Sequence, residues 1–146
     1  MTIGTLGVGG VLSLKTDNTT PDQALISRVL QTAKSKGADY ALLEVSSHSL
    51  VQRRINGIAF KVFCFTNLSQ DHLDYHKNLK NYLKAKLYLF ENLIEKKGNV
   101  ITDKNLIEFH QIKKITSRKN LNLQAIDDYK NNFKLLSHKY DDEVQI

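Results

Sequence analysis

Apolar residues recur at helical spacing in two stretches of the chain. Leu25, Ile26, Val29, Leu30 and Ala33 form the first stripe. Thr20-Pro21-Asp22 precedes it and reads as a helix start, with Thr20 as the cap, Pro21 at the first helical position and Asp22 against the dipole. Gly37 closes that helix. The second stripe is longer: Leu79, Tyr82, Leu83, Leu87, Phe90, Leu93 and Ile94, which predicts a helix ended by Gly98. Between the two lie runs of strand length. Tyr40 to Val45 is one, and Ala59 to Phe65, rich in aromatic and β-branched residues, is the clearest. Ser46 to Arg54 predicts a short helix stopped by Asn56-Gly57. Further on, Asn99–Thr102 and Leu121–Ile126 read as strands and Leu106–Ile115 as a helix, while the last twenty residues give no clear pattern. Residues 1–15 are apolar and Gly-rich, with no element assigned. Strand and helix alternate, so the predicted fold is α/β, a mainly parallel sheet flanked by helices. Chemistry in such sheets collects beyond the carboxyl ends of the strands. Two polar clusters fall there, Glu44 to His48 and Thr66 to His76.

Composition narrows the class. At 146 residues, 41% hydrophobic and 25% charged, the chain is that of one globular domain or part of one. No apolar run reaches the length of a membrane span, and no secretory signal is read. The single cysteine, Cys64, excludes an internal disulfide and a cysteine-rich metal site; it reads as a small core residue of its strand, and the chain as cytoplasmic. The net charge of +6 raises the question of nucleic acid. Only 4 of the 21 basic residues are arginines, and the lysines are interspersed with acids and asparagines. That is the pattern of a solvated surface, so no nucleic-acid or membrane partner is expected. His110 and His138 have no companion motif and read as surface residues.

Three features carry candidate chemistry. Glu44 interrupts an apolar run, where a carboxylate is paired, hydrogen-bonded or metal-bound, or else reaches solvent from a strand end. The stretch Thr66-Asn67-Leu68-Ser69-Gln70-Asp71-His72-Leu73-Asp74-Tyr75-His76 holds two carboxylates and two imidazoles. Such a set suits a hard divalent cation completed by water and phosphate, a zinc pair at His72 and His76, or simply helix capping. Lys86 lies inside the apolar stripe rather than opposite it. It either snorkels to water or sits partly desolvated. A desolvated lysine favours the neutral amine, which can add carbon dioxide to give a carbamate, an anionic oxygen ligand. There is no G-x-x-x-x-G-K-[ST] phosphate loop and no G-x-S-x-G elbow. A triad drawn from Ser46 or Ser47, His48 and Asp71 is a combination that chance readily supplies.

Taken together, several stretches resemble the central, ATP-binding domain of the Mur ligases, and within that family the UDP-N-acetylmuramoyl-tripeptide synthetases. They are Ile3-Gly4-Thr5-Leu6-Gly7, Asn18-Thr19-Thr20-Pro21-Asp22, Glu44-Val45-Ser46-Ser47-His48, Gln52-Arg53-Arg54, Phe65 through His76, and Tyr82-Leu83-Lys84-Ala85-Lys86. Their order and spacing fit the family from about residue 3 to residue 103. The resemblance implies that the whole of 1–146 is a partial Mur ligase central domain. It implies an ATP-dependent ligation in peptidoglycan precursor synthesis. The γ-carboxylate of D-glutamate in UDP-N-acetylmuramoyl-L-alanyl-D-glutamate becomes an acyl phosphate, and an incoming amino acid, the third of the stem peptide, displaces the phosphate. Carried over by position, Asn18, Thr19, Thr20, Ser46, Gln52 and Arg54 match contacts to the nucleotide-sugar peptide. Glu44 and His72 match Mg2+ ligands, and Lys86 matches the lysine that the family carries as a carbamate.

The chain departs from the family pattern in lacking the phosphate loop, its lysine and its hydroxyl, and the C-terminal domain. On this reading the isolated chain is inactive unless a second chain supplies the missing parts. The alternative is a non-catalytic remnant of a split or truncated ligase gene.

Overall fold

The computed structural model describes residues 1–69 and 71–126. The last twenty residues, 127–146, with the expected surface position of His138, and Gln70 lie outside the described residues. The chain divides into two compact units, one formed by residues 1–59 and 70–93, the other by 60–69 and 94–146.

The first unit opens with a hairpin. Strands β1 (Thr2–Gly4) and β2 (Gly7–Gly9) pair antiparallel, Ile3 opposite Val8. Strand β3 (Leu42–Leu43) joins β1 in parallel, giving the order β2-β1-β3. Helix α1 (Gln23–Ser35) lies between β1–β2 and β3 in sequence and buries Ile26, Val29 and Ala33, as its stripe predicts. Its start is two residues later than the sequence suggests. Asp22 is the cap, accepting from the Leu25 N–H at 2.9 Å. Thr20 is not a cap: it is buried and bonded elsewhere. Gly37 follows the helix in the left-handed region, at φ +81°, where a side chain would be strained.

Two short helices, α2 (Ser47–Val51) and α3 (Leu73–His76), pack against the longer α4 (Leu79–Asn92). Asn78 caps α4 by accepting from the Asn81 N–H at 2.9 Å, so the aspartates and histidines of the preceding polar stretch are not its caps. Tyr82, Ala85, Leu89 and Phe90 form the buried face of α4. The helix ends at Asn92, not at Gly98: Ile94, which continues its stripe, begins a strand instead. A β-branched residue followed by charged ones fits either period, and pairing with Phe60 decides for the strand.

The second unit is a wholly parallel sheet in the order β4-β5-β6. Its strands are β4 (Phe60–Phe65), β5 (Ile94–Asp103) and β6 (Asn122–Ile126). Phe63 aligns with Val100, and Val100 with Leu123. Helix α5 (Phe109–Lys119) connects β5 to β6 and packs on both, the connection parallel strands require. Buried Thr102 donates its hydroxyl to the Phe65 carbonyl at 3.2 Å, locking β5 to β4. Cys64 is exposed, against the expectation of a core thiol: along β4 only Phe65 is fully buried. His110 is exposed, as expected. The α/β class with parallel strands flanked by helices therefore stands, distributed over two three-stranded sheets.

Phe90 is completely buried on α4. Phe90→Ala should cost about 3–5 kcal/mol, read as a fall in the urea midpoint with little change in slope.

Candidate active site

The chain around β3 is held by one hydroxyl. Thr20 Oγ1 donates to the Glu44 carbonyl at 2.9 Å and accepts from the Ser46 N–H at 3.0 Å. The Arg54 guanidinium donates to the Thr20 carbonyl at 2.8 Å. Ser46 caps α2, its hydroxyl oxygen accepting from the Ser49 N–H at 3.2 Å. Thus the segment before α1, the exit of β3 and the end of α2 are fixed together.

Glu44 leaves the end of β3 with its side chain exposed. Its Oε2 accepts from both the Thr5 N–H, at 2.8 Å, and the Thr5 hydroxyl, at 2.9 Å. Both bonds end on one oxygen, so Oε1 is not needed to hold the side chain. Of the two readings open to an acid in an apolar run, the structure shows both together: a strand-end carboxylate at the surface, fixed by hydrogen bonds. Thr5 Oγ1 also lies 3.1 Å from Thr19 Oγ1. Gly4 completes the arrangement, because a Cβ there would stand 2.6 Å from Glu44 Oε2. The Ile3–Gly7 stretch was legible as a motif, but the roles of Gly4 and Thr5 were not. Both depend on a residue about forty positions away.

A second cluster is built of rings. His72 sits at φ +56°, its N–H donating to Asp71 Oδ1 at 2.7 Å and its Nε2 3.5 Å from Asp71 Oδ2. Its ring stands edge-on to His48 at 4.9 Å and 6.0 Å from Tyr82. Buried His76 stacks on Tyr82 at 4.9 Å, and its Nε2 shares a 2.9 Å hydrogen bond with buried Ser47 Oγ. Lys86, half-buried on α4, holds its Nζ 4.9 Å from the centre of the same Tyr82 ring, within cation–π range. The histidine partner of Ser47 is therefore His76, not the His48 of a chance triad. Burial lowers the pKa of His76, and the neighbouring His48 and His72 push the same way against Asp74. Burial, then the Asp71 charge, raises that of Tyr82.

The candidate residues thus fall into two groups that meet along α2. Glu44, Thr19, Thr20, Ser46 and Arg54 share the hydrogen-bond network; His72 and Lys86 share the Tyr82 ring. Asn18 is exposed, its carbonyl accepting from the Thr16 hydroxyl, and Gln52 is exposed at the end of α2. Among the described residues no three His, Cys, Asp or Glu side chains are grouped to hold a metal alone. Magnesium does not need such a group: it keeps several waters and takes one or two protein carboxylates together with substrate phosphates. A fixed carboxylate with one uncommitted oxygen fits that role.

Residues 1–144 match the Mur ligase middle domain, and the chain belongs to that family. It is 41% identical over 147 residues to the UDP-N-acetylmuramoyl-L-alanyl-D-glutamate–2,6-diaminopimelate ligase of Buchnera aphidicola subsp. Schizaphis graminum, covering 99% of this chain and 25% of the relative. It is 43% identical over 108 residues to the ligase of the same name from Phocaeicola vulgatus, covering 67% and 22%. A solved structure of a ligase with that name superposes with a TM-score of 0.75 at 28% identity, covering 91% of this chain and 27% of that one. The chain thus spans about a quarter of the length of these relatives.

Two outcomes test this geometry. Gly4→Ala forces the Glu44 carboxylate off Thr5. The expected cost is about 1–3 kcal/mol, with the Thr5 amide resonance moving toward that of a solvent-bonded N–H. His76, with its pKa lowered on folding, takes up a proton less readily in the folded chain than in the unfolded one as the pH falls through about 6.5. Its contribution is therefore fully present above that pH and lost below it. The urea midpoint should drop between about pH 7.5 and about pH 5.5, and less steeply in His76→Gln.

Proposed function

We propose that residues 1–146 act as part of a Mur ligase central domain in the ATP-dependent addition of an amino acid to UDP-N-acetylmuramoyl-L-alanyl-D-glutamate, through an acyl phosphate. The reading rests on the names of the relatives and on one observation above others: a surface carboxylate locked by Thr5, beside the Thr20–Ser46–Arg54 network. In this proposal Glu44, His72 and Lys86, the last as a carbamate, would hold Mg2+. Magnesium, when bound, supplies positive charge that offsets the repulsion between a carboxylate and phosphate oxygens.

The chain's own residues divide the remaining work. Arg54 presents a planar guanidinium suited to an anionic part of the nucleotide-sugar peptide. Asn18, Thr19, Ser46 and Gln52 offer hydroxyl and amide groups to the same substrate. The hydroxyl of Thr20 is engaged within the protein, so its part is to set where Ser46 and Glu44 stand. Lys86 would take the carbamate role in its neutral form, the amine adding carbon dioxide and releasing a proton, with the Tyr82 ring centre 4.9 Å from Nζ. A cytoplasmic setting, where ATP is available, goes with this function.

The carbamate can be read directly. With ¹³C-bicarbonate present, the chain should show a carbamate carbonyl resonance that Lys86→Arg lacks. In a ligase assembled around this chain, Lys86→Ala should lose at least about a hundredfold in turnover and recover part of it with small carboxylates. Unimpaired ligation by Lys86→Ala would rule the assignment out.

A further inference from the structure

A cavity of about 590 Å³ lies in the first unit beside α2 and α4, and its walls include none of the residues assigned above to magnesium or the peptide substrate. Three cations line it, Arg53, Lys77 and Lys84, with Tyr75, Tyr88 and Leu50 supplying ring and apolar surface. No acid is among its lining residues. Like charges around one concavity repel, and an anion bound between them relieves that repulsion.

The backbone adds a second observation. Arg53 ends the turn after α2 at φ +57°, and Lys77 ends α3 at φ +68°. Position after position of this kind is ordinarily glycine or asparagine, because a side chain there is strained. Here both hold long cations, and both face the same cavity. Strain kept at two residues that converge on one concave site points to function. A cation at a helix end also complements the helix dipole, which is the plain structural alternative. That alternative accounts for neither the shared cavity nor Lys84, which comes from the middle of α4.

We propose that this cavity is a binding site for a small aromatic phosphate ester, separate from the ligation site. The phosphate oxygens meet Arg53, Lys77 and Lys84, and the ring lies against Tyr75, Tyr88 and Leu50. Charge-assisted bonds to phosphate supply the affinity, and ring contact supplies selectivity over the bare anion.

Phenyl phosphate and inorganic phosphate, titrated without magnesium into the full chain and followed by amide chemical shifts, test this. Saturable shifts should centre on residues 50–53, 75–77 and 84–88, with phenyl phosphate about tenfold tighter than phosphate. Lys77→Gly should weaken phenyl phosphate about tenfold while holding or raising the melting temperature, since glycine relieves the left-handed backbone. Lys84→Met should weaken it similarly, and Glu44→Gln should leave it unchanged. Absence of saturation, or an affinity in Lys77→Gly and Lys84→Met no weaker than that of the unsubstituted chain, overturns the proposal. A loss in Glu44→Gln equal to theirs would place the ligand in the ligation site and overturn it as well. Because the carbamate signal of Lys86 plays no part in these readings, the ligase assignment and this site fail independently.

Discussion

The hydroxyl of Thr20 fixes the course of the backbone at the exit of β3 in the first unit. It is buried, and it both donates and accepts: its proton goes to the Glu44 carbonyl, and its lone pair takes the Ser46 N–H. A buried hydroxyl deprived of either partner is costly, so the two contacts enforce one another. Because Glu44 and Ser46 bracket the exit of β3, fixing their backbones fixes the direction of the Glu44 side chain and the start of α2. Arg54 then closes the circuit from the far side of α2. Valine would fill the same space as Thr20 with none of these bonds, which is why shape alone does not specify this site.

Helix α2 has only five residues, too few to be stable through its own hydrogen bonds. Its order comes from both ends and both faces. Ser46 caps it, Leu50 is buried, and Ser47 reaches His76. Each of its first residues therefore belongs to a different structure: Ser46 to the Thr20 network, Ser47 to the His76 pair, His48 to the ring cluster with His72 and Tyr75. Any displacement of this helix moves the carboxylate side and the imidazole side together. That coupling explains how residues from β3, α3 and α4 are kept in register by so short an element.

The long helices and the parallel strands were legible in the sequence because burial imposes a period on them. α1 and α4 carry wide apolar stripes, and β4 and β5 carry aromatic and β-branched runs. Glu44, His72 and Lys86 stand out in the sequence as departures from those periods or as motif matches, which makes them candidates. What escaped was set by distant contacts. The β1–β2 hairpin is short and built on glycines, so it has no alternation to detect. Thr20 has the residue type and the neighbours of a helix cap, and only its burial against residues 44–46 assigns it elsewhere. Ile94 continues a helical stripe by one step, and its pairing with Phe60 overrides that local preference. Cys64 sits on the exposed side of a strand whose composition suggested burial on both faces.

The polar groups of the first unit sort by whether the protein itself uses them up. Thr20, Ser47 and His76 are buried and satisfied, and they act as fasteners. Glu44 and the His72 ring are exposed on the framework that these fasteners hold, and Arg54 is half-buried with its guanidinium on the Thr20 carbonyl. A ligand that arrives at such groups meets them already oriented, so little of its binding free energy goes into ordering them. Lys86 stands between the two kinds: it is half-buried on α4, and its amine is 4.9 Å from the centre of the Tyr82 ring, within reach of a cation–π contact.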